Sequence, residues 1–303
     1  MMEPVVRVDG HKADPCSGSV KLDWSKLLWN GAMLAGSIAA LFVATWQSVL
    51  LFALLTYSTL LIGHSVGMHR MMIHRTFTAP RWLARLLIYI GTLVGVAGPF
   101  GIIRIHDVRD WAQREQECHD FFAHRRSLAK DLWWNLFCRF EFARPPAITI
   151  EPAMQNDPFY RFLDATWRWH QLPLALLLYW TGGLPFVLWG VCVRVLVSTA
   201  GHWTVTYFCH NPHLHKRPGK WVVKGAGIQA ANLRGLGLIT YGECWHNNHH
   251  AFPESARIGL EQGQLDPGWW VIRGLEAVGL ASNIGKPRAP SLCEDLHESG
   301  QLS

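Results

Sequence analysis

The 303-residue chain has little charge: Lys and Arg number 28 and Asp and Glu 22, together 17%. The net charge of +6 is not gathered into a compact basic stripe beside a nucleic-acid motif, so no nucleic-acid partner is expected. The seven cysteines contain no CxxC pair and no regular spacing, which argues against both a zinc ribbon and a disulfide framework. Residues 1–26 carry Asp9, Asp14 and Asp23 among four basic residues and lack the basic-then-apolar order of a cleaved signal. They are expected to be a polar lead-in. No internal repeat is evident.

What the chain does have is apolar surface and histidine. Half of the residues are hydrophobic, and there are 16 Trp and 16 His. The apolar residues are segregated into long runs apart from the polar, His-bearing stretches, the pattern of an integral membrane protein with a cytosolic catalytic part. Leu27–Ala44 is long enough to cross a bilayer, and only Thr45, Trp46 and Gln47 separate it from a second run, Ser48 to about Val66. These two runs are expected to form a transmembrane hairpin. Trp82–Ile103 carries Arg85 and the breaker Gly98-Pro99, and reads as a span, an interfacial helix or a re-entrant one. Leu172–Ala200, broken at 181–185, reads as a second hairpin, for about four spans in all. Both short turns lack Lys and Arg whereas every long polar segment has several, so the termini and all His-bearing segments are assigned to the cytoplasmic side. The basic charge then lies beside anionic membrane lipid.

The segment Gly242-Glu243-Cys244-Trp245-His246-Asn247-Asn248-His249-His250-Ala251-Phe252-Pro253 places three imidazoles at i, i+3 and i+4, on one helix face. Neutral imidazole suits iron, zinc, copper and nickel, and the apolar neighbours argue against a merely decorative surface cluster. Further candidates lie at the cytoplasmic ends of the other apolar stretches: His69 and His74, then His106, then His202 and His210. His69 and His74 are five apart, which on an α-helix turns them about 140° from one another. They can flank one metal only if the helix end loosens.

The order HRMMIHRTF, then His106 in a second polar box, then GECWHNNHHAFP resembles the membrane-bound acyl-CoA (stearoyl-CoA-type) fatty acid desaturases, from the first span to about Asn283. The resemblance implies an all-α membrane protein with a cytosolic helical cap and a histidine-rich site for two iron ions. It divides the chain into the lead-in 1–26, the desaturase-like domain 27–283 and a polar tail 284–303. It implies as ligands His69, His74, His106, His210, His246, His249 and His250. The second box departs from the family pattern HxxHH, reading His106-Asp107-Val108-Arg109-Asp110. Arg109 cannot ligate a cation, since its guanidinium stays protonated. Asp110, one helical turn from His106, is either an oxygen ligand or the partner of Arg109 or Arg114 on a solvated face. His119 and His124 are candidate replacements from the following turn, and His202, eight residues before His210, is a further one. Glu243 is expected to orient a ligand ring through its second nitrogen. Asn247 and Thr206 (Asn in the family) are expected beside the ligands, and His64 one turn inside the second span.

The implied activity is dioxygen-dependent desaturation of a fatty acyl chain linked to CoA, a carrier protein or a lipid. Its electrons would come from a separate donor such as a ferredoxin or a b-type cytochrome. A membrane hydroxylase with the same two irons is an alternative reading. A membrane metal-binding or transport protein is another, and would place His or acidic groups along a path inside the spans.

Overall fold

A computed structural model gives the protein's fold and describes residues 4–215 and 219–299. The extreme ends of the two expected terminal segments, 1–3 and 300–303, lie outside the described residues. The helices in order are α1 (Trp24–Leu41), α2 (Trp46–Ser58), α3 (Arg81–Thr92), α4 (Pro99–Arg114), α5 (Asp120–Ala123), α6 (Leu128–Phe137), α7 (Pro152–Gln155), α8 (Pro158–Thr166), α9 (Gln171–Val187), α10 (Arg194–His210), α11 (His246–Ala251) and α12 (Pro267–Ala277). A π-helix, Thr59–Ile73, continues α2, and another, Leu188–Val193, joins α9 to α10.

The starts of these helices follow from local chemistry. Asp23 accepts the amide of Lys26 at the head of α1, and Thr45 and Ser48 cap α2 reciprocally. Together α2 and its π extension, Trp46–Ile73, make one of two helical runs among the described residues that are long and apolar enough to cross a membrane; the other is Gln171–His210. The second run is not straight. Gly183 sits at φ 66°, ψ −158°, a conformation essentially reserved for glycine. Arg194 then donates to Gln171 Oε1 at 2.5 Å, although 23 residues of straight α-helix span about 34 Å. The chain therefore doubles back at Gly183. Large apolar side chains such as Leu34, Ile38, Leu50, Leu54, Leu176 and Trp180 (85% exposed) cover the outer surface of α1, α2 and α9. An apolar surface of that extent on a soluble monomer would be unusual.

The stretch 82–103 is broken into two elements. Helix α3 buries Leu83, Leu87 and Ile88 and lies directly on the π-helix: a methyl on Gly63 would come within 2.3 Å of the Gly91 nitrogen. After a bend, α4 begins at Pro99, whose fixed φ suits a first helical position. Its amides at Phe100 and Gly101 both donate to Asp164 Oδ1.

The terminal segments pair with strands elsewhere in the chain. Strand β1 (Val8–Asp9) pairs with β4 (Ala147–Ile148), and β2 (Gly18–Leu22) with β3 (Cys138–Phe142). Strand β5 (Trp221–Val223) pairs with β6 (Leu296–Glu298), where Cys293 and Leu296 pack on Trp221 and Phe252. The main core, including Met68, Met72, Phe77, Ile103 and Ile272, fills the space between the π-helix, α3, α4 and α12.

Candidate metal centre

Seven imidazoles from four helical elements converge in two adjoining groups. Ligand atoms of His69, His74, His106 and His249 lie within 4.8 Å of one another, and those of His210, His246 and His250 form a second such set. Helix α11 supplies both: the ring of His249 joins the first set, and its centroid is 5.7 Å from the rings of both His246 and His250.

The first pair meets because the helix is π there. The amide of His74 donates to the carbonyl of His69, five residues back, at 3.0 Å. A π turn holds roughly one residue more than an α turn, so residues five apart come nearly into line. The two ring centroids are 4.8 Å apart.

Carboxylates stand beside two rings of the four-imidazole set. Glu243 Oε2 lies 2.8 Å from His69 Nδ1, close but off the line of a good hydrogen bond, and its Oε1 accepts from Ser65 at 2.5 Å. Asp107 Oδ1 lies 2.9 Å from His106 Nδ1, a role for Asp107 that the sequence reading missed; a carboxylate directly beside a candidate ligand was the available signal. Asp107 is in turn held by Arg7, which also donates to Glu151 and to the carbonyls of Met72 and Ile73. Those carbonyls end the π-helix and have no partner within it. One arginine from the N-terminal segment thereby links the first and second histidine boxes. The buried Arg70 does similar work behind the site, binding the Tyr241 and Ala256 carbonyls and Asp266.

The other candidates take separate places. Asp110 Oδ2 is 3.7 Å from His106 Nε2, the nitrogen that also faces His74 Nε2 at 3.2 Å, yet Asp110 is outside the four-imidazole set. Arg109 donates to Thr206 Oγ1 at 3.0 Å, so two of the three positions at which the resemblance expects another residue (109, 110 and 206) contact one another. Burial draws the Arg109 guanidinium below its ordinary pKa, partly opposed by Asp110 and Asp131. His119 stands on the aromatic group of Trp134 and Phe140 and accepts the Phe121 amide; it belongs to neither set. His124 is bound to Asp131 at 2.9 Å and lies behind His210, ring centroids 6.3 Å apart. His64 and His202 pack edge to face at 5.0 Å, outside both sets. Asn247 binds the Trp221 peptide and the Ala230 carbonyl, and Asn248 ties Asn232 to Ile258, so both bear on the scaffold around α11.

The two sets fit metal ions. His246 Nε2 is 3.0 Å from His210 Nε2 and 3.2 Å from His250 Nε2, and one ring nitrogen cannot donate to both. A cation satisfies all three. Nitrogens 3.0–3.2 Å apart, each about 2.1 Å from a shared ion, subtend about 90–100° at it. Burial holds His74, His249 and His250 well below the ordinary imidazole pKa, and His246 falls to about 4. All four are thus neutral near pH 7, the ligating form. His106 differs: burial lowers it, but the carboxylates of Asp110 and Asp107 outweigh that and raise it.

Two spaces reach these rings. A cavity of about 510 Å³ is walled largely by apolar side chains including Leu60, Ile102, Val205, Phe208, Leu233 and Leu236, and is lined also by His69, His106, His246, Arg109, Asp110 and Glu243. A more polar cleft of about 250 Å³, bordered by Arg7, Trp111, Arg114 and Arg288, reaches His74, His106 and His250.

No family model matches the chain. Several curated proteins do. The sn-2 palmitoyl-lipid 9-desaturase of Nostoc sp. (strain 36) is 31% identical over 275 residues, 88% of this chain and 91% of that protein. The sn-1 stearoyl-lipid 9-desaturase of Anabaena variabilis is 32% identical over 274 residues, 87% of this chain and 94% of that protein. The icosanoyl-CoA 5-desaturase of Limnanthes douglasii is 30% identical over 255 residues, 80% of this chain and 66% of that protein. With identity at this level running through nine tenths of two of these relatives, the chain belongs to the fatty acid desaturase family of oxidoreductases.

Proposed function

We propose that this protein is a four-span membrane desaturase that introduces a cis double bond into a fatty acyl chain at a centre of two iron ions. The observation that carries the reading is the juxtaposition of two imidazole sets with a largely apolar cavity that members of both sets line. The cavity is within the size range of small-molecule sites, and its walls suit a hydrocarbon chain. Two adjacent methylenes would each lose one hydrogen, while dioxygen, two electrons and two protons become two waters.

The irons would be held by His69, His74, His106 and His249 on one side and His210, His246 and His250 on the other, with Asp110 as an added oxygen ligand to the first. Bound there, they would supply activation of dioxygen. The rest is the work of the chain. Asp107 fixes the ring of His106, with Glu243 beside that of His69, which sets where ligating nitrogens point. The apolar walls exclude water and hold the acyl chain so that one pair of carbons meets the metals, making regiochemistry a matter of shape. Among the relatives are proteins named for lipid-linked and for CoA-linked substrates, so an acyl ester is the substrate class. The electrons come from a separate carrier such as a ferredoxin or a b-type cytochrome.

In the membrane, α1 with α2 and the two arms of 171–210 are two hairpins. The turns at 42–45 and around Gly183 lack Lys and Arg and face outward; the metal centre and both termini face the cytoplasm. Profiling the fatty acids of host cells expressing the native chain or His249→Ala, with iron measured in the purified protein, tests the proposal. A new monounsaturated species is expected, absent from the variant, with about two irons per chain. A hydroxylated product in its place, or a native chain without iron, would overturn it.

A further inference from the structure

The two imidazole sets are built unequally. The first has four rings, and the non-facing nitrogens of His69 and His106 have carboxylates at 2.8 and 2.9 Å. The second has three rings; the Nδ1 atoms of His210 and His246 are buried without a hydrogen-bond partner, as His69 Nδ1 also is, but among the described residues no carboxylate lies within 4 Å of His210 or His246. A ligating imidazole ordinarily passes its other N–H to an acceptor, and losing that acceptor costs about 10–100-fold in metal affinity.

A cation also stands against the second set. Arg109 lies three residues beyond His106 on α4, and its guanidinium donates to Thr206, one turn before His210 on the same face of α10. Arg109 also lines the cavity shared by His69 and His106 of the first set and His246 of the second. Among the described residues no carboxylate pairs with it within 4 Å; neighbouring Asp110 is directed instead to His106. A permanent positive charge repels a second one brought beside it, and does so most where water is scarce.

We infer that the two sites fill in sequence: the four-imidazole site takes metal tightly, the three-imidazole site takes it weakly, and Arg109 sets much of the difference. Arg109 is then a positioning residue that makes the complete two-metal centre depend on metal supply, a chain short of iron holding one ion only. This rests on the two-metal reading given above.

The test is a titration of the full-length, detergent-purified protein, stripped by a chelator, with cobalt(II), followed by visible absorption in competition with a chelating dye. Two steps are expected, the second at least about tenfold weaker than the first. His249→Ala should remove the tight step and His250→Ala the weak one. Arg109→Gln, which drops the charge and keeps a group able to bond Thr206, should tighten the second step by about tenfold or more. Arg109→Lys, of similar bulk with the charge kept, should leave it weak. A single step of two equal equivalents in the native chain, or Gln and Lys variants that titrate alike, would overturn the inference. Cobalt that fails to bind, or binds regardless of His249 and His250, would overturn the two-metal reading itself.

Discussion

Replacing Arg7 with alanine should weaken both the fold and the first metal site. The native side chain, 2% exposed, donates twice to Glu151 at 2.9 Å, to Asp107 at 3.1 Å, and to the carbonyls of Ile73 and Met72 at 3.0 and 3.2 Å. Truncation leaves Asp107 and two carbonyls without their partner. Breaking a buried charge pair costs about 3–5 kcal/mol. Glu151, whose side chain is 27% exposed, can rehydrate, so the lower end, about 3 kcal/mol, is expected. At roughly 2–4 °C per kcal/mol for chains somewhat smaller than this one, Tm should fall by about 5–10 °C. Freed of Arg7, Asp107 no longer holds His106 firmly, and metal affinity at the four-imidazole site should drop about 10–100-fold. Tryptophan fluorescence during a thermal ramp in detergent reads the first effect, and metal retained against a chelator reads the second. Arg7→Lys, which keeps a charge but cannot fork between Asp107 and Glu151, should fall between. An Arg7→Ala protein that melts within about 1 °C of the native chain and keeps its metal would refute the assignment of the N-terminal segment to the site.

Gly183→Ala should cost about 1–3 kcal/mol, because φ 66° with ψ −158° strains any residue bearing a Cβ; a lower Tm in detergent reports it. Gly63→Ala drives a methyl to within 2.3 Å of α3 backbone, so the π-helix and α3 must part; overpacking of about 1–3 kcal/mol or more should show as a lower Tm and reduced metal content. His119→Ala should leave bound metal unchanged, since His119 stands on Trp134 and Phe140; loss of metal from that variant would contradict its placement. Asp110→Asn should lower metal affinity at the four-imidazole site if its carboxylate is a ligand, and an unchanged cobalt titration would remove Asp110 from the centre.

Much of the site was legible in the order of residues. Types and spacing singled out His246, His249 and His250, position at the ends of the apolar stretches offered His69, His74, His106, His202 and His210, the resemblance chose all of these but His202 as ligands, and the structure gathers those seven in two adjoining sets. Glu243 was also readable, as a carboxylate beside a ligand-bearing segment, and it does stand at His69. The apolar runs that announce a membrane protein are equally a property of composition, since burying or exposing them is decided by water and not by neighbours.

Other features depended on three-dimensional packing. Arg7 and Asp107 are 100 residues apart, and no local pattern relates them. The reversal that pairs Arg194 with Gln171 was signalled by Gly182, Gly183 and Pro185, but the contact itself needs the folded pair of arms. Asn247 lies inside the third box and yet serves the peptide of Trp221, because α11 is anchored by distant loops.

The sequence by itself determined which groups can bind a metal and which stretches can face lipid, since both follow from side-chain chemistry. The tertiary structure decided how the imidazoles are divided, four to one set and three to the other. That division rests on a π-helix that turns His69 and His74 to one face and on a short α11 that straddles both sets. Each is a consequence of backbone hydrogen bonding and packing between residues far apart in the chain, where spacing along a single helix carries no information.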